Sequence, residues 1–192
     1  MARGRPACRR VKATIALLIW GVTGWARPTT AAPQASVSAT VAGGVTDLRT
    51  EGRTRPALAL GLRADLLFLR ASDHDVGIGP YLDATTTGFE TLETGGGIES
   101  LFPLSEALPL VVSVGAFGRI GPTASWEPGL ELTLFLGSHG YNYHSNYSLT
   151  AGFFVQGRYG LGDKDQGDIL AGVAVDLELI ALPFVLLVQA FR

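Results

Sequence analysis

The most regular feature of the chain is a two-residue alternation of bulky apolar residues with small or charged ones. Leu58, Leu60, Leu62, Ala64, Leu66 and Phe68 alternate with Ala59, Gly61, Arg63 and Asp65. Leu130, Leu132, Leu134 and Leu136 alternate with Glu131, Thr133, Phe135 and Gly137. Ile169, Ala171, Val173, Val175, Leu177 and Leu179 alternate with Leu170, Gly172, Ala174, Asp176 and Glu178. Successive side chains of a β-strand point to opposite faces, so each run has one oily face and one small, polar face. That sorting predicts a narrow closed sheet with lipid outside and a tight polar lumen inside.

Eight windows carry the pattern between turn signals: 36–45, 57–69, 77–87, 91–101, 108–120, 129–137, 146–159 and 168–180. Their even spacing fits an all-β, antiparallel up-and-down transmembrane barrel of eight strands. Interior glycines such as Gly61, Gly79, Gly95, Gly115 and Gly172 suit so narrow a ring, although they weaken an ordinary sheet. No helical stripe is expected after residue 35. The run from Phe184 to Arg192 also reads as a strand, which leaves three options. The last strand bends at Pro183, an extra strand takes the count to ten, or 36–45 lies outside the barrel. Phe191 near the end loosely resembles a barrel-assembly signal.

Composition changes the picture at the N-terminal side. Met1 to Lys12 is basic, Ala13 to Trp25 is apolar, and small, proline-broken residues follow. This is the layout of a secretory signal peptide, too short to span a bilayer comfortably. Cleavage is expected after Ala31 or Ala32, giving a leader over 1–32 and a barrel domain over 33–192. Six of the 15 basic residues and none of the 17 acids lie in the leader, leaving 9 against 17 and a net charge of −8. Such a chain has no basic patch to replace the counterions of a nucleic acid. Only Lys12 and Lys164 are lysines, so much of the mature surface calls for a solvent other than water. The single cysteine, Cys8, precedes the apolar stretch, so neither a lipid anchor nor a disulfide is expected.

Leader, alternation, missing cysteines and scarce lysine together resemble the small outer-membrane β-barrel proteins of Gram-negative bacteria. Segments such as GIGPYLDATTTGFE, GYNYHSNYSL and AGFFVQGRYGLGD are similar to uncharacterised predicted barrels of myxobacteria-like organisms. The resemblance implies a cleavable export signal, an outer-membrane location and contact with outer-membrane lipid. It also implies help from the barrel assembly machinery during biogenesis and a monomeric state. It supplies no catalytic residue, no cofactor and no protein partner.

Candidate chemistry is sparse. By parity, Arg63, Asp65, Asp83, Arg119, Glu131, Arg158, Asp176 and Glu178 face the lumen. Glu93 and Glu99 join them if Leu92 and Ile98 face lipid. Buried charges must be paired, so these read as an ion-pair network plugging the lumen, or as the lining of a narrow gated pore. Phe89, Trp126 and Tyr159 sit beside loops at one end of the barrel, and Tyr141, Tyr143 and Tyr147 share a parity. All six read as interfacial aromatics. His144-Ser145-Asn146 is reminiscent of a lipid deacylase motif, but strand neighbours point apart. His74 between Asp73 and Asp75 is a weak cation cluster, and Gly95 to Gly97 lacks the lysine and helix of a phosphate loop.

The reading is a non-enzymatic, plugged barrel with a structural or interaction role. Its loops 46–55 and 160–167 are the candidate contact surfaces. The alternatives are a passive or gated small-solute pore, a lipid-modifying hydrolase using His144 or Ser145, and a soluble periplasmic barrel. The last binds a small apolar ligand and needs the bulky face turned inward.

Overall fold

The computed structural model describes residues 32–48, 54–105, 108–121, 124–162 and 166–190. The leader over 1–32 falls outside them except for its last residue, as do Lys164 and Phe191. Eight antiparallel strands form a closed barrel in sequence order. They are β1 (Gln34–Thr46), β2 (Arg55–Leu67), β3 (Gly77–Thr87), β4 (Thr91–Pro103), β5 (Pro109–Gly121), β6 (Ala124–His139), β7 (Thr150–Gly160) and β8 (Gly167–Asp176). Each strand pairs with the next, and β1 closes on β8 from Ser38↔Asp176 to Val45↔Ile169. We call the end where β1 starts and β8 stops the lower end.

The alternation sorts the side chains as the oily-outside pattern requires. Leu82 (69% exposed), Ile98, Val114, Leu130, Leu132, Leu134, Phe153, Val155 and Ile169 all stand on the outer surface. No outward-facing strand position from Ala35 to Val175 carries a charge, and the polar ones are threonine or serine (Thr86, Thr94, Ser100, Ser138). The outward residues of β4 run from Leu92 to Phe102. That is about 33 Å along the strand, or about 25 Å in height once tilted by about 40°, which matches the apolar band of a transmembrane barrel.

The inside is filled by rings laid against glycines. A Cβ on Gly115 would lie 2.3 Å from the Tyr81 hydroxyl, and one on Gly129 would lie 2.3 Å from the Phe117 ring. Gly137 and Gly152 are cross-strand partners that leave room for the Phe135 ring in the same way. The tight hairpin between β3 and β4 needs two consecutive left-handed residues, Gly88 (φ 62°) and Phe89 (φ 59°). This is type I′ geometry, free for glycine and strained for phenylalanine.

Beyond β6, which begins at Ala124 rather than Gly129, the structure corrects the strand reading at two places. First, β8 stops at Asp176 and residues 177–190 form a helix, α1 (Leu177–Ala190), not a longer eighth strand or a ninth. Asp176 Oδ1 accepts the Glu178 N–H at 2.8 Å, a helix N-cap, and Leu-Glu-Leu-Ile-Ala-Leu are good helix formers. The alternation that suggested a strand is real, but β1 offers no partner beyond Ser38↔Asp176. Second, β7 begins at Thr150, and residues 146–149 belong to the β6–β7 connection. The bulky face points outward, opposite to what the soluble ligand-binding alternative requires.

Interior overpacking should therefore cost more than exterior overpacking. Gly129→Val should lose about 1–3 kcal/mol, whereas Gly43→Val, on the outer face with nothing within 4 Å of a Cβ, should be near neutral. Urea unfolding of both variants in micelles, followed by Trp126 fluorescence, checks the contrast.

Candidate functional site

The lumen is the site, and cross-strand register builds it. Arg63 lies opposite Asp83, Glu93 opposite Arg119, Arg119 opposite Glu127, Glu131 opposite Arg158, and Arg158 opposite Asp168. Because paired residues on adjacent strands share a face, each of these charges meets an opposite charge from a neighbouring strand, whereas Asp65, Glu99 and Asp176 face uncharged residues in the register.

In the upper half Arg119 and Arg158 organise the acids. Arg119 Nε donates to Glu93 Oε1 at 2.5 Å, its Nη1 to Gln166 Oε1 at 2.7 Å, and its Nη2 to Asp168 Oδ2. Arg158 Nη1 donates to Glu93 Oε2, and Nη2 reaches Asp83 Oδ2 at 3.4 Å. Arg158 Nε lies 3.5 Å from Glu131 Oε2. Glu131 also accepts the Tyr81 hydroxyl at 2.7 Å and the Gln156 amide at 3.2 Å. Below them Arg63 stacks 4.0 Å over the Tyr81 ring and donates to Glu99 Oε2 and Ser113 Oγ, both at 2.6 Å.

A hydrogen-bonded chain closes the lower half. Ser36 Oγ donates to Asp65 Oδ1 at 2.8 Å, and Thr150 Oγ1 donates to Ser36 Oγ at 3.1 Å. His139 Nδ1 lies 3.1 Å from Thr150 Oγ1, and its Nε2 lies 3.3 Å from Ser148 Oγ. Asp65 and Ser148 both approach Nε2, so this is not the relay of a nucleophilic triad, in which acid and nucleophile take opposite ring nitrogens.

The lower mouth is covered by the β6–β7 connection. Ala35 N–H donates to Asn146 O at 2.7 Å, and Ser148 N–H donates to Ala35 O at 2.9 Å. The Gln34 amide donates to Asn142 O and Ser145 O. The connection thus occupies the pairing edge that β1 presents below the last residue of β8. From the β2–β3 turn, Arg70 reaches in and donates to His139 O at 3.2 Å. The Tyr147 hydroxyl donates to Asp176 at 2.9 Å. Burial, followed by the bond to Asp176, raises this phenol to about 12.

Arg63, Asp65, Asp83, Glu99, Arg119, Glu131, Arg158 and Asp176 all lie in the lumen, together with Glu93. Glu178 does not: it sits exposed in the first turn of α1, because the strand has ended two residues earlier. Sequence reading missed Glu127 and Asp168 as lumen acids, and Gln34, Arg70, His139 and Ser148 as closing groups. Glu127 and Asp168 continue the alternations of Glu131 and Asp176, so parity alone could have found them.

Phe89, Trp126 (61% exposed) and Tyr159 all lie on the outside near the upper end. Trp126 also packs on the bare backbone of Gly118. At the lower end Tyr143 is exposed and meets Tyr141 edge-on at 4.8 Å. Tyr147 departs from the interfacial expectation, since its hydroxyl turns to Asp176 inside the mouth. These three tyrosines lie in a connection, where strand parity does not apply. His144 and Asn146 are exposed there too, and Ser145 Oγ accepts the Tyr147 N–H at 3.1 Å rather than meeting the His144 ring. Asp73 and Asp75 are used by the turn, accepting from Tyr141 N–H, Ala71 N–H and the Ser72 hydroxyl.

No family model and no curated protein matches the chain. Two solved structures resemble it. One comes from a de novo design of transmembrane β-barrels, at 9% identity and a TM-score of 0.39, over 72% of this chain and 94% of that one. The other is the outer-membrane protein Ail of Yersinia pestis in a phospholipid bilayer nanodisc, at 12% identity and a TM-score of 0.36, over 72% and 98%. Both are transmembrane barrels. Neither likeness extends to function, and the myxobacterial similarity finds no relative behind it.

Arg158→Ala should cost about 3–5 kcal/mol, because it leaves Glu93, Asp83 and Glu131 buried with too few partners; urea unfolding measures it. Tyr147 gives an alkaline limit to the lower closure. Its pKa is raised from 10 to about 12 on folding, so its contribution is complete below pH 10 and is lost as pH rises towards 12. Unfolding midpoints across this window should fall for the parent chain and less for Tyr147→Phe.

Proposed function

We propose that the protein is an integral outer-membrane barrel with a side-chain-plugged lumen and a structural or interaction role. The charge-free outer belt carries this reading. A wall of leucine, valine, isoleucine and phenylalanine around the whole circumference is costly in water and fits hydrocarbon. Its partner along that wall is outer-membrane lipid. The barrel has no open hydrogen-bonding edge through which copies could pair, which supports a monomer.

The interaction surface falls at the upper end. Loops 46–55 and 160–167 adjoin there because β1 closes on β8. Gln166 donates to Asp47 at 2.7 Å, and Leu48 N–H donates to Gly167 O at 2.9 Å, so the described parts of the two loops form one surface. Residues 49–53 and 163–165 lie outside the described set. The plug is favoured over a pore because Arg119 and Arg158 tie acids from four strands across the lumen.

Expression with its own leader in a Gram-negative host tests the reading. The protein should fractionate with the outer membrane and run at a different mobility unheated than boiled. A soluble periplasmic protein without the shift would refute it. In planar bilayers the parent chain should not conduct, and Arg119→Ala with Arg158→Ala should destabilise the barrel. Steady single-channel current from the parent would favour the pore.

A further inference from the structure

The lumen is out of electrical balance. Eight carboxylates are buried in it against four arginines, Arg70 included. Each arginine is already committed: Arg158 alone serves Glu93, Asp83 and Glu131. Uncompensated buried charge is strongly unfavourable, so four further positive charges, as protons or small cations, are needed for neutrality.

Part of the surplus meets at Gly95. A Cβ there would stand 2.6 Å from Asp83 Oδ1 and 3.0 Å from Glu131 Oε1, so the absence of a side chain lets two carboxylates converge. Asp83 Oδ2 faces Arg158, but Asp83 Oδ1 has no hydrogen-bond partner, with the side chain only 8% exposed. Thr133 Oγ1, on a residue 4% exposed, is also without a partner. Asp83 and Thr133 line one internal cavity of about 40 Å³, with Thr40, Thr85 and Gln156 adding oxygen donors. Such a space holds one ion with one or two waters. Arg63 is also on the wall, but its guanidinium is turned onto Glu99 and the Tyr81 ring.

We infer that this cavity binds a small alkali cation, of sodium's size, between Asp83 and Thr133. Hard oxygen ligands select hard cations. Among the described residues no three His, Cys, Asp or Glu side chains converge as a metal cluster. Asp65, the other carboxylate on the wall, already accepts from Ser36 and faces His139, so Asp83 Oδ1 with hydroxyl and amide oxygens suits a single charge better than a double one.

The test uses the full chain folded in zwitterionic micelles at pH 7.5 and constant ionic strength, with sodium exchanged for choline. Above the dissociation constant, the unfolding temperature should rise by roughly 3–5 °C per tenfold sodium. Choline should give no rise. Coincident sodium and choline curves would overturn the inference and leave protons as the balancing charge. A response to micromolar calcium without one to sodium would overturn the monovalent assignment. Thr133→Val, which keeps the shape and removes the hydroxyl, should lose most of the sodium response while still running as a folded barrel. A full response in that variant would refute the assigned site.

Discussion

Everything in this molecule depends on the pairing of β8 with β1. An eight-residue ladder, Ser38↔Asp176 to Val45↔Ile169, turns a meander into a ring. Before closure the two faces of the sheet are equivalent in kind. After closure one becomes a narrow interior and the other a continuous exterior. An eight-strand ring has room inside for side chains and little else. The interior must therefore combine large rings with glycines, and set its arginines among its carboxylates. Tyr81 over Gly115, Phe117 over Gly129 and Phe135 over Gly137 are three solutions to that one spatial limit.

Closure also decides how the charges are used. The register sets Arg63 beside Asp83, and Glu93, Arg119 and Glu127 in a row across β4, β5 and β6. Glu131, Arg158 and Asp168 form a second row across β6, β7 and β8. The arginines then reach beyond their immediate neighbours, as Arg158 does to Glu93 and Asp83. The network runs around the ring and across it, so it braces the wall and fills the lumen with the same contacts. Backbone pairing and side-chain electrostatics reinforce each other here, which is the consistency expected of a sequence that specifies one fold.

What was legible in the sequence follows from the same constraint. Strand count, faces and most lumen charges obey a period of two, and period two is local information. The features that escaped are not periodic. Asp176 both ends β8 and caps α1, and residues 177–179 alternate as well as any strand, so only the missing β1 partner separates the two outcomes. The lower closure joins Gln34 and Ala35 to residues more than a hundred positions away, and nothing in Tyr141 to Ser148 announces that contact. His139 is the last residue of β6 and Arg70 lies in the β2–β3 turn, where parity weakens or lapses. The fold was thus readable, whereas the chemistry of its lower mouth was not.

The two ends are closed by different physics, and this bears on whether the lumen could conduct. The lower mouth is shut by backbone and side-chain hydrogen bonds from one connection, the upper half by arginine–carboxylate contacts anchored on several strands. A path through the barrel must undo both. Parting even two buried ion contacts at about 3 kcal/mol each would leave the open state near one part in ten thousand, at about 1.4 kcal/mol per tenfold. Swinging a single side chain cannot supply that, because Glu93 is held by two arginines and Arg158 by three acids. A gate needs one weak contact on which the others do not depend. This lumen couples its contacts, and that coupling argues for a plug.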